Sequence, residues 1–331
     1  MQQLPDKTEK ILLSTEQEIF DQLVGVDHPF RTISALINMT ELVEPLRECY
    51  SDLGRSGFDI ESGYKALLIQ FWENYSDRQM EKALKENIAI RWFCGFALTA
   101  ATPDHTYFCK LRARLGTKRI ADTFNAVNKT LENYGLFGNV FTFIDASAII
   151  TKTALWEERD RAIKDGETTL NNAVVKKYAA DSQARWGAKG KNKIWFGHKR
   201  HDAVDMRFGL IRKTAITPAN VPDFKAMKNV VPNGGMVFMD KIYDCQEVNR
   251  LLKANGCSAG TIRKNNNKTK DNDLDRWRSR IRMPFEGTFS KLARRARYRG
   301  VAKVALQNFL EATVHNMKKM VAVLARPPVM A

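Results

Sequence analysis

A single carboxylate at the end of an apolar run constrains this chain more than any other feature. Residues 138–150 read GNVFTFIDASAII, and the five β-formers from Val140 to Ile144 follow the turn residues Gly138 and Asn139. That is the pattern of a short buried strand. It carries one charge, Asp145. Burying a lone carboxylate is costly unless something pairs with it. An acid closing an apolar strand therefore needs an arginine, a lysine or a metal, or else a nearby turn of backbone N–H groups. The segment alone leaves both solutions open.

At 331 residues the chain has room for two domains, since single cores stop growing at roughly 250–300 residues. Its 53 basic against 37 acidic side chains leave a net charge of +16. Such an excess favours polyanions, nucleic acid foremost, with an anionic membrane surface as the weaker alternative. The amino terminus MQQLPDKTEKILL lacks the basic start and continuous apolar core of a signal peptide, and no segment holds about 18 consecutive apolar residues. The expectation is a soluble, intracellular protein with no membrane partner. Cys49, Cys94, Cys109, Cys245 and Cys257 are odd in number and lack CxxC spacing, which fits reduced thiols. His198 and His201 stand too close in sequence for a zinc-finger pair.

The first 25 residues read as a loose arm or a short helix. From Asp27 apolar residues recur at three-to-four spacing, and SGYKALLIQFW at 62–72 predicts the core helix of a small amino-terminal domain. Ser76 with Gln79 three residues on forms a capping-box start. A second start places Thr102 as cap and Pro103 at the first helical position. Two such capped helices resemble a helix-turn-helix pair, with Thr106, Tyr107, Lys110 and Arg114 along one face for DNA. A plain helical bundle with solvated basic residues accounts for the same pattern. ADTFNAVNKTLENYGL makes a further helix, and the domain boundary falls at 136/137.

Beyond Asp145 strand and helix signals alternate. A charged, mostly helical insertion occupies about 151–190, with Lys189, Lys191 and Lys193 in a Gly-rich context. IWFGHKRHDAVDM and GLIRKTAITPA predict a strand pair with a tight turn at 207–209. DFKAMKN is a short helix, and Met236–Met239 a strand followed directly by Asp240, the pattern of Asp145 again. QEVNRLLKANG is a helix stopped by Gly256, and SAGTIRK a last strand. NNNKTKDNDLDRW reads as a loop, and the next helix is opened by Pro284, with Glu286 beside an apolar face of Phe285, Phe289 and Leu292. The final helix, from Val301, is long and amphipathic, its apolar stripe packing on the sheet.

Acids at the ends of two strands and a third on a later helix suggest a mixed α/β domain in which carboxylates converge. Three carboxylates without histidine or cysteine are hard oxygen ligands, suited to magnesium or manganese rather than zinc. Two such ions about 4 Å apart activate an attacking oxygen and stabilise a leaving one on a phosphodiester. Asp202, Asp205 and Asp244 also lie near strands, but Asp205 leads into a turn and Asp202 alternates toward a polar face, so each is a weaker candidate. Trp195, Phe196 and Trp277 are core aromatics in the simpler account, and stacking platforms for unpaired bases in the other.

FIDAS at 143–147, GHKRHDAVDMRFGLI at 197–211, MDKIYD at 239–244, RMPFEGTFSK from 282 and RARYRG ending at 300 occur in the order found in bacterial insertion-sequence transposases of the DDE class. The chain resembles the insertion-sequence-five group of that class. ENIAIRWFCGF and TPDHTYF at 86–108 are similar to the group's amino-terminal domain, so the resemblance covers nearly the whole chain. It implies a ribonuclease-H-like mixed sheet flanked by helices over 137–331, after a helical DNA-binding domain over 1–136. It also implies that Asp145, Asp240 and Glu286 hold two Mg2+ or Mn2+ ions and that Lys241, Arg282, Lys291 and Arg294 reach DNA phosphates.

The implied activity is cleavage at the ends of a mobile element followed by transfer of the 3′-hydroxyl ends to target DNA. The partners would be double-stranded DNA, as terminal inverted repeats and target, and a second copy of the chain on that DNA, in the cytoplasm at the nucleoid. The family signature around the glutamate is matched by Arg282, whereas Ser279 stands in place of its Tyr and Ala293 in place of its Lys. Ile242 replaces the usual small residue. Two alternatives stay open: a relative without catalysis that binds element ends or represses transcription, and a structure-specific nuclease that never joins strands.

Overall fold

The computed structural model describes residues 6–50, 57–151, 171, 179–189, 194–290 and 292–324. Most of the charged insertion lies outside these, as do Lys191, Lys193 and Lys291. The chain forms two compact units, Met1–Thr130 with Leu324–Ala331, and Leu131–Val323.

The amino-terminal unit is helical. Residues expected to form a loose arm or short helix make an 18-residue helix, α1 (Asp6–Leu23). It is followed by α2 (Pro29–Leu36), α3 (Met39–Val43), α4 (Ile60–Trp72), α5 (Asp77–Glu86), α6 (Ile88–Cys94) and α7 (His105–Asn133). Helix α4 is the core: the Asp59 carboxylate accepts the N–H groups of Glu61 and Ser62, and Leu67, Leu68, Ile69 and Phe71 are buried behind it. The expected capping box is present, with the Ser76 N–H donating to Gln79 Oε1 at 2.8 Å and the Gln79 N–H to Ser76 Oγ at 3.3 Å.

Asp104, not Thr102, caps α7, accepting from the N–H groups of Thr106 and Tyr107. A carboxylate placed one residue before the helix meets the first free amides directly. The two helices read from sequence after Pro103 run on as α7, broken only at Gly116, whose φ of 67° is left-handed. Two arginines stitch the bundle. Arg91 donates to the carbonyls of Leu84, Ala97 and Ala100. Arg112 grips Asp77 bidentately at 2.8 and 2.6 Å.

The second unit holds a six-stranded mixed sheet. Its strands are β1 (Phe141–Ile150), β2 (Arg185–Ala188), β3 (Ile194–Asp205), β4 (Leu210–Pro218), β5 (Gly235–Met239) and β6 (Cys257–Thr261). The order β2-β3-β1-β5-β6 puts β1 in the middle, with β4 on the outer edge of β3. β1, β5 and β6 are parallel, whereas β3 runs antiparallel to β1, β2 and β4. Helices α8 (Asp223–Val230) and α9 (Gln246–Ala254) cover one face, where Ile144, Ala203, Met227, Val230, Val237 and Leu252 share a buried cluster. Helices α10 (Asn272–Ser290) and α11 (Val301–Leu324) complete the unit.

Three expectations need correction. Asp145 does not end its strand: β1 runs five residues further because its second half pairs with β3 as far as Ile150 and Gly197. That approach requires glycine, since at Gly197 a Cβ would stand 2.1 Å from the carbonyl oxygen of Ile149. Helix α10 is not opened by Pro284 but begins at Asn272, where the Asp271 carboxylate accepts from the N–H groups of Asp273 and Leu274. Pro284 lies inside it, leaving one carbonyl of the turn before without its amide. Finally, α11 meets the sheet through polar groups as well as apolar ones. Asn308 donates to Thr214, Asn316 brackets the backbone of Ile211, and His315 contacts the Gly209 carbonyl.

Candidate active site

The two strand acids follow the last paired residues of β1 and β5. Phe143 and Phe238 are the last pair of the parallel β1–β5 contact, and two residues on stand Asp145, inside β1, and Asp240, the first residue past β5. The Asp240 charge acts on Asp145. Asp145 accepts the N–H of Ala146 at 2.8 Å. Asp240 caps the 3-10 turn Lys241–Tyr243, accepting the Lys241 N–H at 2.6 Å. Burial pushes the Asp145 carboxyl up to about 6, against the pull of the Ala146 amide, Lys189 and Arg282.

Helix α10 crosses the same face. Phe289 meets Phe143 edge to face at 5.5 Å, and the Arg282 guanidinium lies 5.8 Å from the Phe143 ring. One turn on, Arg282 is paired with Glu286 at 3.4 Å, and Glu286 remains half exposed. Among the described residues no group of three His, Cys, Asp or Glu side chains is gathered closely enough to hold a metal ion. The charges of Asp145 and Asp240 thus interact, while Glu286 is held by Arg282. Both strand acids are hard oxygen donors, the chemistry that fits a divalent magnesium or manganese ion.

The other acids divide sharply. Asp205 accepts the N–H groups of Gly138, Asn139 and Arg207, closing the β3–β4 turn against the entry to β1. Asp244 accepts from Arg263, the Lys264 N–H and Asn267, fixing the loop that leads to α10. Both are structural. Asp202 does not face a polar surface, as its alternation implied, but is fully buried because α11 covers this face of β3. It stands directly across from Asp145 in the β1–β3 register. Burial pushes its carboxyl up to about 6.

A groove of about 1050 Å³ opens beside the strand acids, lined among others by Ser147, Lys189, Trp195, Lys264, Glu286 and Arg294. It exists because β5 pairs only with the first residues of β1, leaving the second half of that edge free until the Arg294–Ala296 segment closes it at Ile150. Trp195 therefore borders the groove, whereas Phe196 is core beside Trp186, and Trp277 is 47% exposed while touching Phe238. Lys241 and Arg294 are exposed, as are Lys110 and Arg114 on α7. Arg114 lies on the Tyr50 ring at 4.4 Å, and Tyr107 is turned against Phe58 rather than aligned with the basic residues. Lys189 is the site residue that sequence reasoning passed over. Its only signal was a place in a Gly-rich basic stretch.

The profile of a family described as "Transposase domain (DUF772)" matches residues 18–114. That of the family described as "Transposase DDE domain" matches residues 138–317, more than half of the chain. No solved structure matches the chain. No helix among the described residues is long and apolar enough to cross a membrane. With Asp145 on the central strand of a mixed sheet and that match over all six strands and more than half of the chain, the chain belongs to the family of DDE transposases.

Proposed function

We propose that this transposase binds the ends of its mobile element, cleaves phosphodiester bonds there, and transfers the 3′-hydroxyl ends to target DNA. The observation that carries this is that Asp145 and Asp240 each stand two residues past the last paired residues of parallel β1 and β5, near enough for their charges to interact, beside a basic groove. Asp145, Asp240 and Glu286 are assigned as the ligands of two Mg2+ or Mn2+ ions, which when bound would activate the attacking oxygen and stabilise the leaving one. Glu286 reaches that role once Arg282 releases it. Arg282 then turns to a phosphate, a charge-assisted contact for which its guanidinium is suited. Lys241 and Arg294 hold the same strand. Lys291, outside the described residues, is assigned to DNA as well.

Residues 1–136 are assigned as the DNA-binding domain, with Lys110 and Arg114 meeting the duplex, and 137–331 as the catalytic domain. Two ends must be cut together, so the working unit on DNA is a dimer. The test is cleavage of an end-containing duplex with Mg2+. Asp145→Asn, Asp240→Asn and Glu286→Gln should each lower the rate by about a thousandfold, on the order of 4 kcal/mol of transition-state stabilisation, with DNA binding retained. Unchanged cleavage in all three would remove the assignment. The pairing of Glu286 with Arg282 favours one alternative, a DNA-binding relative without catalysis, which would bind ends tightly and show no metal-dependent turnover in wild type.

A further inference from the structure

We propose that Asp202 is a fourth acid of this site, lending a buried carboxylate oxygen to the divalent cation held at Asp145. The inference rests on Asp145 being a cation ligand and goes beyond the three acids of the family pattern. Asp202 and Asp145 are direct partners in the antiparallel β1–β3 pair, so their side chains leave the sheet on the same face with Cβ atoms about 4.5–5.5 Å apart. Asp202 is fully buried. Its Oδ1 accepts the Thr214 hydroxyl, while its Oδ2 has no hydrogen-bond partner among the described residues.

The nearest buried cation, Arg200, acts on Asp202 through its charge but makes no hydrogen bond to that oxygen. Arg200, two residues back on the same face, donates through Nε to Asn308 and through Nη2 to Glu311. The Thr214 hydroxyl in turn accepts from Asn308 Nδ2 at 2.6 Å. The chain of bonds from Arg200 through Asn308 to Thr214 thus fixes Asp202 through Oδ1 and leaves Oδ2 unpartnered. Holding Thr214 requires only an acceptor, which an amide would supply. A carboxylate buried opposite another carboxylate is explained by a cation that both see.

The test is Mn2+ affinity of the full chain, read from the loss of the free-ion electron paramagnetic resonance signal, with melting temperature recorded at pH 8 in the absence of metal. Asp202→Asn preserves the acceptor for Thr214 and is expected to weaken Mn2+ binding about tenfold or more while melting at or above the wild-type temperature. Asp273→Asn, an exposed acid on α10, should leave the affinity unchanged. Binding by Asp202→Asn within twofold of wild type, with Asp145→Asn abolishing it, overturns the proposal and spares the Asp145 assignment. Affinity unmoved by Asp145→Asn as well overturns both. An Asp202→Asn protein that melts well below wild type, or does not fold, assigns Asp202 to the framework and equally overturns the proposal.

Discussion

Asp145 holds its proton more tightly than a surface aspartate because the sheet and α10 strip water from it before any strong cation is in contact. In the metal-free protein this has a pH signature. Its folded-state value of about 6 lies above the ordinary 3.8, so between those values the folded chain binds more protons than the unfolded one, and stability falls as pH rises through the window. Asp145→Asn should therefore raise the melting temperature at pH 8 and leave it nearly unchanged at pH 4. The gain is on the order of 1–3 kcal/mol, and a melting temperature at pH 8 no higher than wild type would contradict it. Arg112 gives a second residue-scale expectation. It is nearly buried against the half-buried Asp77, so Arg112→Met should cost about 1–3 kcal/mol, measured as a lower urea midpoint.

At the scale of elements, short polar caps and close backbone approaches hold the helices and strands in place. Ser76→Ala removes the reciprocal cap of α5 and should cost about 1 kcal/mol in urea unfolding. Gly197→Ala should be far worse, because its Cβ would overlap the Ile149 carbonyl at the last pair of the β1–β3 ladder. The expected result is loss of the cooperative transition of the sheet unit, and a variant melting within a few degrees of wild type would show that the ladder can shift. The capping box, the β3–β4 turn and most strands were legible because each is a local pattern in the sequence. The start of α10 was not, because a run such as NNNKTKDNDLDRW is polar on all sides. Its helix is held by the Asp271 cap and by Asp275 accepting the Arg263 N–H, contacts with partners that sequence spacing does not reveal.

For the whole molecule, a net charge of +16 makes salt the simplest probe of its DNA contacts. Affinity for an end-containing duplex should fall at least about tenfold between 50 and 200 mM salt, followed by fluorescence anisotropy, because each neutralised phosphate releases condensed counterions. A flat dependence would mean that the basic surface does not carry binding. Charge excess, the helical amino-terminal region, the alternation of strand and helix, and the separate identity of Asp145 and Asp240 were all set by the chain's own text, since composition, periodicity and turn residues are local properties. Which acids face one another was decided only by tertiary structure. Register between β1 and β3 sets Asp202 opposite Asp145, the pairing of β1 with β5 brings the Asp240 charge within reach of it, and a helix bond to Arg282 keeps Glu286 aside. No spacing along the polymer encodes that arrangement, because a carboxylate's partners are fixed by which strands pair and how far they slide.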